Sequence, residues 1–219
     1  DFCAPKIVTW ILNKLGSQNN LKIDRLKDAD SHVADIQFKD LKENIILNLS
    51  IKNNHDDLKH PRPYSTAQAC GFVKNSPQDL SFRKTMEIIS NDYRKKNISP
   101  HFLEYNQTGK NLICLYDQVC NHHVTWLNHQ SNSKIAKELF TFMVNTNFYK
   151  IKVRPRTKKT SSFVEVTDFR NIKMPDSFKV YRPQKNPHKN HFRVNFNNDW
   201  ELNFRIHTAA TKIKENIFE

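Results

Sequence analysis

Apolar positions along the chain change their period three times. Over residues 5–16 (PKIVTWILNKLG), Ile7, Ile11, Leu12 and Leu15 recur at helical spacing between an opening Pro5 and a closing Gly16, which predicts a helix that packs on the sheet after it. From Val33 to Phe38 and from Ile45 to Lys52 the period falls to two, with Ile45, Leu47, Leu49 and Ile51 on one face and Asn48, Ser50 and Lys52 on the other. Asp40 to Asn44 is the turn between them. Pairing about a midpoint near residue 42 or 43 sets Asp35 level with Ser50, with Lys52 one step along the same side. Residues 78–97 and 111–145 read as largely helical, with Leu112, Leu115, Val119, Trp126, Leu139, Phe140 and Met143 as buried positions. The last third returns to strands over 149–157, 163–166, 192–196 and 200–207, the last two joined by Asn197-Asn198-Asp199 as a hairpin. The predicted class is α/β (mixed α+β), a central mixed sheet flanked by helices with a C-terminal β-hairpin.

Composition narrows the function more than the fold. The 219 residues suit one domain, with a first portion over about residues 1–100 and a second, helical and β-rich, over about 101–219, and 15 phenylalanines supply a core. Three glycines are too few for a Gly-rich nucleotide loop, which needs them where backbone closes on phosphate. A net charge of +13 points to a polyanionic partner. No stretch approaches the apolar length of a membrane span, so the expected chain is soluble and cytoplasmic, with no membrane partner. The four cysteines read as reduced thiols. Asp1 rather than Met at the first position leaves room for an upstream stretch.

Asp35 with Ser50-Ile51-Lys52 is the pattern that metal-assisted phosphodiester cleavage requires. A carboxylate holds a hard cation such as Mg2+, and a lysine on the neighbouring strand offsets charge developing on the phosphate. The bland alternative is a solvated ion pair on a hairpin. Downstream, His55 and His60 fit a proton donor or a phosphate contact, or else plain surface histidines, and Lys59 and Arg62 suit phosphates. In KIKVRPRTKK, the side chains of Lys150, Lys152, Arg154, Arg156 and Lys158 recur every second residue, so an extended strand presents them together as a phosphate rail; the alternative is a solvated edge strand guarded by charge. The terminal hairpin sets Arg193, Asn195, Asn203, Arg205 and His207 on a polar face opposite Phe192, Val194, Phe196, Trp200, Leu202, Phe204 and Ile206. A two-stranded ribbon fits a major groove, and Arg205 is the first choice for a base contact; the alternative is a structural hairpin facing water. Cys114-x5-Cys120-x-His122-His123 lacks a zinc clip and reads mainly as core.

Four blocks carry a family resemblance. LSIKNNHDDLKHPRPYS, MVNTNFYKIKV, WELNFRIHTAATKI and ADIQF occur in an order that resembles the HaeIII-type restriction endonuclease family, spanning residues 33 to about 213. That resemblance implies a restriction-endonuclease core of the PD-(D/E)xK type, with Asp35 as metal ligand, Lys52 as catalytic lysine, and Asn54 and His60 in the downstream DNA-contacting cluster. It also implies type II cleavage of double-stranded DNA at a palindrome such as GGCC, leaving 5′ phosphates. A homodimer matching that symmetry and a cognate DNA methyltransferase acting on the same site complete the expectation. Two departures stand out. Position 50 is Ser rather than an acid, so the second carboxylate comes from elsewhere: Asp56 first, by proximity, then Asp57 or Glu43, with Ser50 or the Ile51 carbonyl as weaker ligands. HTAAT has Thr208 and Ala209 where the family more often has Asn and Ala. The rival reading is a non-catalytic, or degenerate, basic DNA-binding protein.

Overall fold

The computed structural model describes residues 3–16, 20–26, 34–53, 61–96, 110–145, 147–154, 161–183 and 190–207. Asn54, His55, Asp56, Asp57, Lys59, His60, Arg156 and Lys158 lie outside the described residues, as do Val33, Thr208 and Ala209. The chain folds into two compact units interleaved in sequence, Asp1–Lys59 with Thr141–Lys173, and His60–Phe140 with Met174–Glu219. The class is mixed α and β, as the periodicities require.

In the first unit, helix α1 (Ala4–Leu15) is followed by an antiparallel meander of β1 (Lys22–Arg25), β2 (Ile36–Lys39) and β3 (Ile45–Asn53). Strand β4 (Tyr149–Arg154) then joins β3 in parallel, and β5 (Phe163–Asp168) pairs antiparallel with β4. The result is one mixed five-stranded sheet in the order β1-β2-β3-β4-β5. Helix α1 begins with Pro at its first turn and ends at Gly16, whose N–H donates to the Leu12 carbonyl and whose positive φ of 60° takes the chain out of the helix. Ile7, Trp10, Ile11 and Leu15 pack against Phe38, Leu47, Leu49, Tyr149 and Ile151. Each of those sheet side chains, once buried, contributes roughly 1.5–3 kcal/mol. Leu12 points away and is 60% exposed, because the packed stripe of this helix runs through Trp10 instead.

The hairpin between β2 and β3 forms at the expected turn. Asp40 Oδ1 accepts from the backbone N–H groups of Lys42 and Asn44, and Glu43 takes the left-handed conformation (φ 63°). A bulge between Phe38 and Lys39 shifts the register, leaving Ile45 51% exposed rather than in the core. At the far end of β3 the faces alternate as expected, but burial does not follow polarity: Ile51 is 37% exposed, while Ser50 is buried at 1%. Strand β1 has only Ile23 as an apolar residue within it, too short a pattern to register as period two.

The second unit begins with a 3-10 turn (Pro63–Ser65) and the one-turn helix α2 (Thr66–Ala69), followed by α3 (Pro77–Lys95) and α4 (Lys110–Gln130). Helix α5 (Ser133–Met143) follows after a break at Ser131-Asn132, with its last residues counted in the first unit. An antiparallel three-stranded sheet, β6 (Phe178–Tyr181), β7 (His191–Phe196) and β8 (Glu201–Arg205), completes it. Phe82 is the aromatic hub of the helices, its ring 4.9 Å from Trp126 and 4.7 Å from His122. Phe192 and Phe204 stack at 4.9 Å on the apolar side of the sheet, opposite each other in the β7–β8 register. The buried positions expected at Leu115, Val119, Trp126, Leu139, Phe140 and Met143 are buried, and Leu112 is half-buried. Strand β6 is held in part by a helix: Asn128 donates from Nδ2 to the Val180 carbonyl and accepts the Val180 N–H, both at 2.8 Å. One amide side chain thus does the work of a strand neighbour.

Candidate active site and nucleic-acid interface

The β2–β3 register pairs Ile36 with Leu49, and one further step sets Asp35 opposite Ser50, as the hairpin midpoint requires. The backbone of Asp35 is tied on both sides, its N–H to the Leu49 carbonyl at 2.7 Å and its C=O to the Leu26 N–H at 2.9 Å. Its carboxylate is therefore set by the sheet itself. Oδ2 accepts the Ile51 N–H at 2.6 Å and lies 3.9 Å from Lys52 Nζ. The separation from the ammonium is that of an ion pair, too long for a hydrogen bond. Both side chains keep contact with solvent, Lys52 at 26% and Asp35 at 35% exposure. Ile51 enters this cluster through its N–H.

Ser50 lies opposite Asp35 in the register, and its Oγ is buried with no hydrogen-bond partner among the described residues. An unsatisfied buried hydroxyl costs about 1–3 kcal/mol and invites a ligand or water. Among the described residues no group of three or more His, Cys, Asp and Glu stands ready to hold a metal. The second Asp35 oxygen and the orphaned Ser50 Oγ nonetheless fit a hard cation that keeps most of its water, as magnesium does. Asp35 would be the charged ligand of such a site. Glu43 is not its companion: it pairs with Lys22 at 2.9 Å and Lys39 at 3.5 Å in the turn at the opposite end of the hairpin.

The basic strand is corrected in position. Strand β4 lies inside the sheet, between β3 and β5, so the solvated-edge alternative does not describe it. Lys150, Lys152 and Arg154 do alternate with Tyr149, Ile151 and Val153, but Lys150 is buried at 7% and the other two are half-buried. The parallel register matches Ser50 with Lys150 and Lys52 with Lys152, which brings the basic residues onto the Asp35 face.

In the second unit the expected two-stranded ribbon is a three-stranded sheet, because β6 pairs along β7. Its polar face carries Lys179 and Tyr181, then His191, Arg193 and Asn195, then Glu201, Asn203 and Arg205. Arg193 is held by Glu201 Oε1 at 2.6 Å, and the Tyr181 hydroxyl donates to the same carboxylate. That bracing raises the Tyr181 pKa and fixes Arg193 within the face. Asn203, Arg205 and His207 are exposed on it, and Arg62 is exposed ahead of the 3-10 turn. The apolar side holds Phe192, Val194, Phe196, Phe204 and Ile206 as expected, with Trp200 and Leu202 half-buried.

The zinc alternative has no support among these residues. Cys114 is exposed while Cys120 is buried, its thiol pushed up to about 12 by desolvation. His123 is fully buried, its Nδ1 on the Val119 carbonyl at 2.8 Å and its Nε2 3.1 Å from Thr66 Oγ1, and burial pushes it down to about 4. His122 turns to the Phe82 carbonyl at 3.2 Å. The sequence reading placed both cysteines in an apolar helical run as buried thiols, which holds for Cys120 and fails for the exposed Cys114, and it missed the Thr66–His123 contact, which joins residues 57 apart. No helix among the described residues is long and apolar enough to cross a membrane. Scans of protein-family models and searches of curated proteins and of solved structures find no match to this chain.

Proposed function

We propose that this protein is a magnesium-dependent, site-specific endonuclease that hydrolyses phosphodiester bonds of double-stranded DNA, leaving 5′ phosphates. The observation that carries this reading is the 3.9 Å approach of Lys52 Nζ to Asp35 Oδ2 on one face of a mixed sheet, beside a buried, unpartnered serine hydroxyl. The four blocks that resemble HaeIII-type restriction enzymes support it, as does the charge of +13. A mixed sheet with a parallel β3–β4 pair is compatible with the PD-(D/E)xK core that the resemblance implies.

In this reading Asp35 would hold the cation, its carboxylate oriented by the Ile51 N–H on one oxygen. Magnesium, when bound, neutralises phosphate charge and makes a coordinated water acidic enough to attack. Lys52 faces the phosphate and offsets the charge that builds in the transition state. Arg62 and the outer face of the second unit's sheet, through Asn203, Arg205 and His207, supply DNA contacts, with Arg205 suited to a guanine edge. A homodimer would match the two-fold symmetry of a palindromic site.

The test is incubation with plasmid DNA in Mg2+ and, separately, in EDTA, followed by sequencing of the product ends. Discrete metal-dependent fragments with 5′ phosphates are expected. Retarded but intact DNA in both conditions would instead establish the rival, a basic DNA-binding protein. The serine in place of an acid at position 50 favours that rival.

A further inference from the structure

The five-stranded sheet ends on two edges of different character. Strand β1 is four residues long, and Lys22, Asp24 and Arg25 put charge on three of them, the usual protection of an exposed edge. Strand β5 runs for six residues, and Phe163, Val164 and Val166 make half of it apolar, with no lysine or proline among the rest. Among the described residues β5 pairs with β4 alone. The Phe169 N–H donates to the Phe148 carbonyl at 3.0 Å, and that bond fixes the alternation along the strand: Thr167, Glu165 and Phe163 turn their backbone groups toward β4. Val164, Val166 and Asp168 turn theirs outward. An edge of that length, with outward N–H and C=O groups, is a template for one more strand.

We propose that the added strand is β5 of a second copy of this chain, antiparallel about a two-fold axis through Val166, so that two copies share one continuous sheet. That register uses all three outward residues, with Val166 opposite the partner's Val166 and Val164 opposite the partner's Asp168. It also sets Glu165, which is exposed, opposite the partner's Thr167, so no like charges face each other. An axis through Glu165 would use only Val164 and Val166 and would set two Glu165 carboxylates against each other. The axis stands perpendicular to the sheet, and Lys52, Lys152 and Glu165 share one face by register, so both Asp35–Lys52 pairs open on the same side of the dimer. The two β3 strands then lie five strand spacings, about 24 Å, apart. The inference rests on the nuclease reading for the purpose of the dimer, and names the surface that joins its two copies.

Sedimentation velocity without DNA, together with oxidative cross-linking, tests the pairing. The wild-type protein is expected to sediment as a dimer that dissociates on dilution. Thr167→Glu, which opposes like charges at two symmetric positions, should weaken dimerisation by about tenfold, while Thr167→Val should leave it unchanged. In a Cys114→Ser background, which removes the exposed thiol, Glu165→Cys and Thr167→Cys proteins should form disulfide-linked dimers when mixed and not when oxidised separately. Opposed positions lie about 4.5 Å apart at Cα, within disulfide reach, whereas each position lies roughly 7–8 Å from its own copy. A monomeric wild type, unchanged dimerisation in Thr167→Glu, no cross-link in the mixture, or a cross-link in either variant alone overturns the proposal. Failure of the two readings is distinguishable: magnesium-dependent cutting by a protein that does not pair through β5 removes the interface alone, and a β5-linked dimer that does not cut removes the nuclease alone.

Discussion

Two aspartates, one in each unit, have opposite surroundings. Asp79, at the start of α3, is 0% exposed, and its Oδ2 accepts from Arg83 Nη2 and from the Asn75 N–H, each at 2.8 Å. Its Oδ1 faces Gln68 Nε2 at 3.5 Å. Every oxygen has a protein partner, and the carboxylate ties the Asn75 loop (φ 67°) to the helix. Asp35 has one oxygen on a backbone N–H, its lysine at 3.9 Å, and 35% exposure. A completed carboxylate is architecture. One left with an open oxygen beside a cation and an orphaned hydroxyl has capacity for a ligand.

Substitutions at the two positions should therefore separate activity from stability. The largest effect expected is on cleavage: Asp35→Asn and Lys52→Ala should each reduce the Mg2+-dependent rate by about 10³-fold, or about 4 kcal/mol in the barrier, while sparing DNA binding. Near wild-type cutting by either variant, in a plasmid assay, would erase the contrast.

Next comes Asp79→Ala, which leaves Arg83 and the Asn75 N–H without their acceptor. A loss of about 3–4 kcal/mol in urea unfolding is expected. An unfolding midpoint at the wild-type value would show that Asp79 is not the structural counterpart drawn here.

The second unit should also carry an acid-sensitive element built on its buried histidines. Burial holds His123 at about 4 against an ordinary 6.5, and burial lowers His122 in the same direction. The unfolded chain then takes up a proton before the folded one does. Stability present above about pH 6.5 is lost as the pH falls toward 4, by on the order of 3 kcal/mol for His123. His123→Gln should flatten the dependence of unfolding free energy over that range, and an unchanged slope would assign it elsewhere. Asp168 acts lower down: Arg170 holds its carboxyl at about 2, so what it contributes above pH 3.8 is lost only toward pH 2.

The smallest effect sharpens the pairing directly. Asp35→Asn keeps an acceptor for the Ile51 N–H and should shift stability by less than about 0.5 kcal/mol, whereas Asp35→Ala should cost about 1 kcal/mol. Thermal melts of the two variants side by side would measure it. Equal losses would mean that the hydrogen bond from Ile51 contributes nothing.

Much of this was legible in the residues alone. Alternation in ILNLSIK, the turn at Asp40 to Asn44, and the spacing of Asp35 from Lys52 were enough to level Asp35 with Ser50, because a hairpin is local and its register follows from its turn. The same locality made α1, the β7–β8 pairing and most of the helical core readable. Strand β6 was not, since four residues carry little periodicity and its support comes from Asn128, 52 positions away. Nor was the setting of KIKV: alternation says which side chains share a face, and says nothing about which strands lie beside them. Only the parallel pairing of β3 with β4, across about a hundred residues of chain, brought Lys152 to Lys52 and buried Lys150 beside Ser50. The sequence by itself determined the two strands and the polar side of each. Tertiary structure decided which charges are neighbours, because non-local pairing depends on the packing of the whole sheet and leaves no period in either strand.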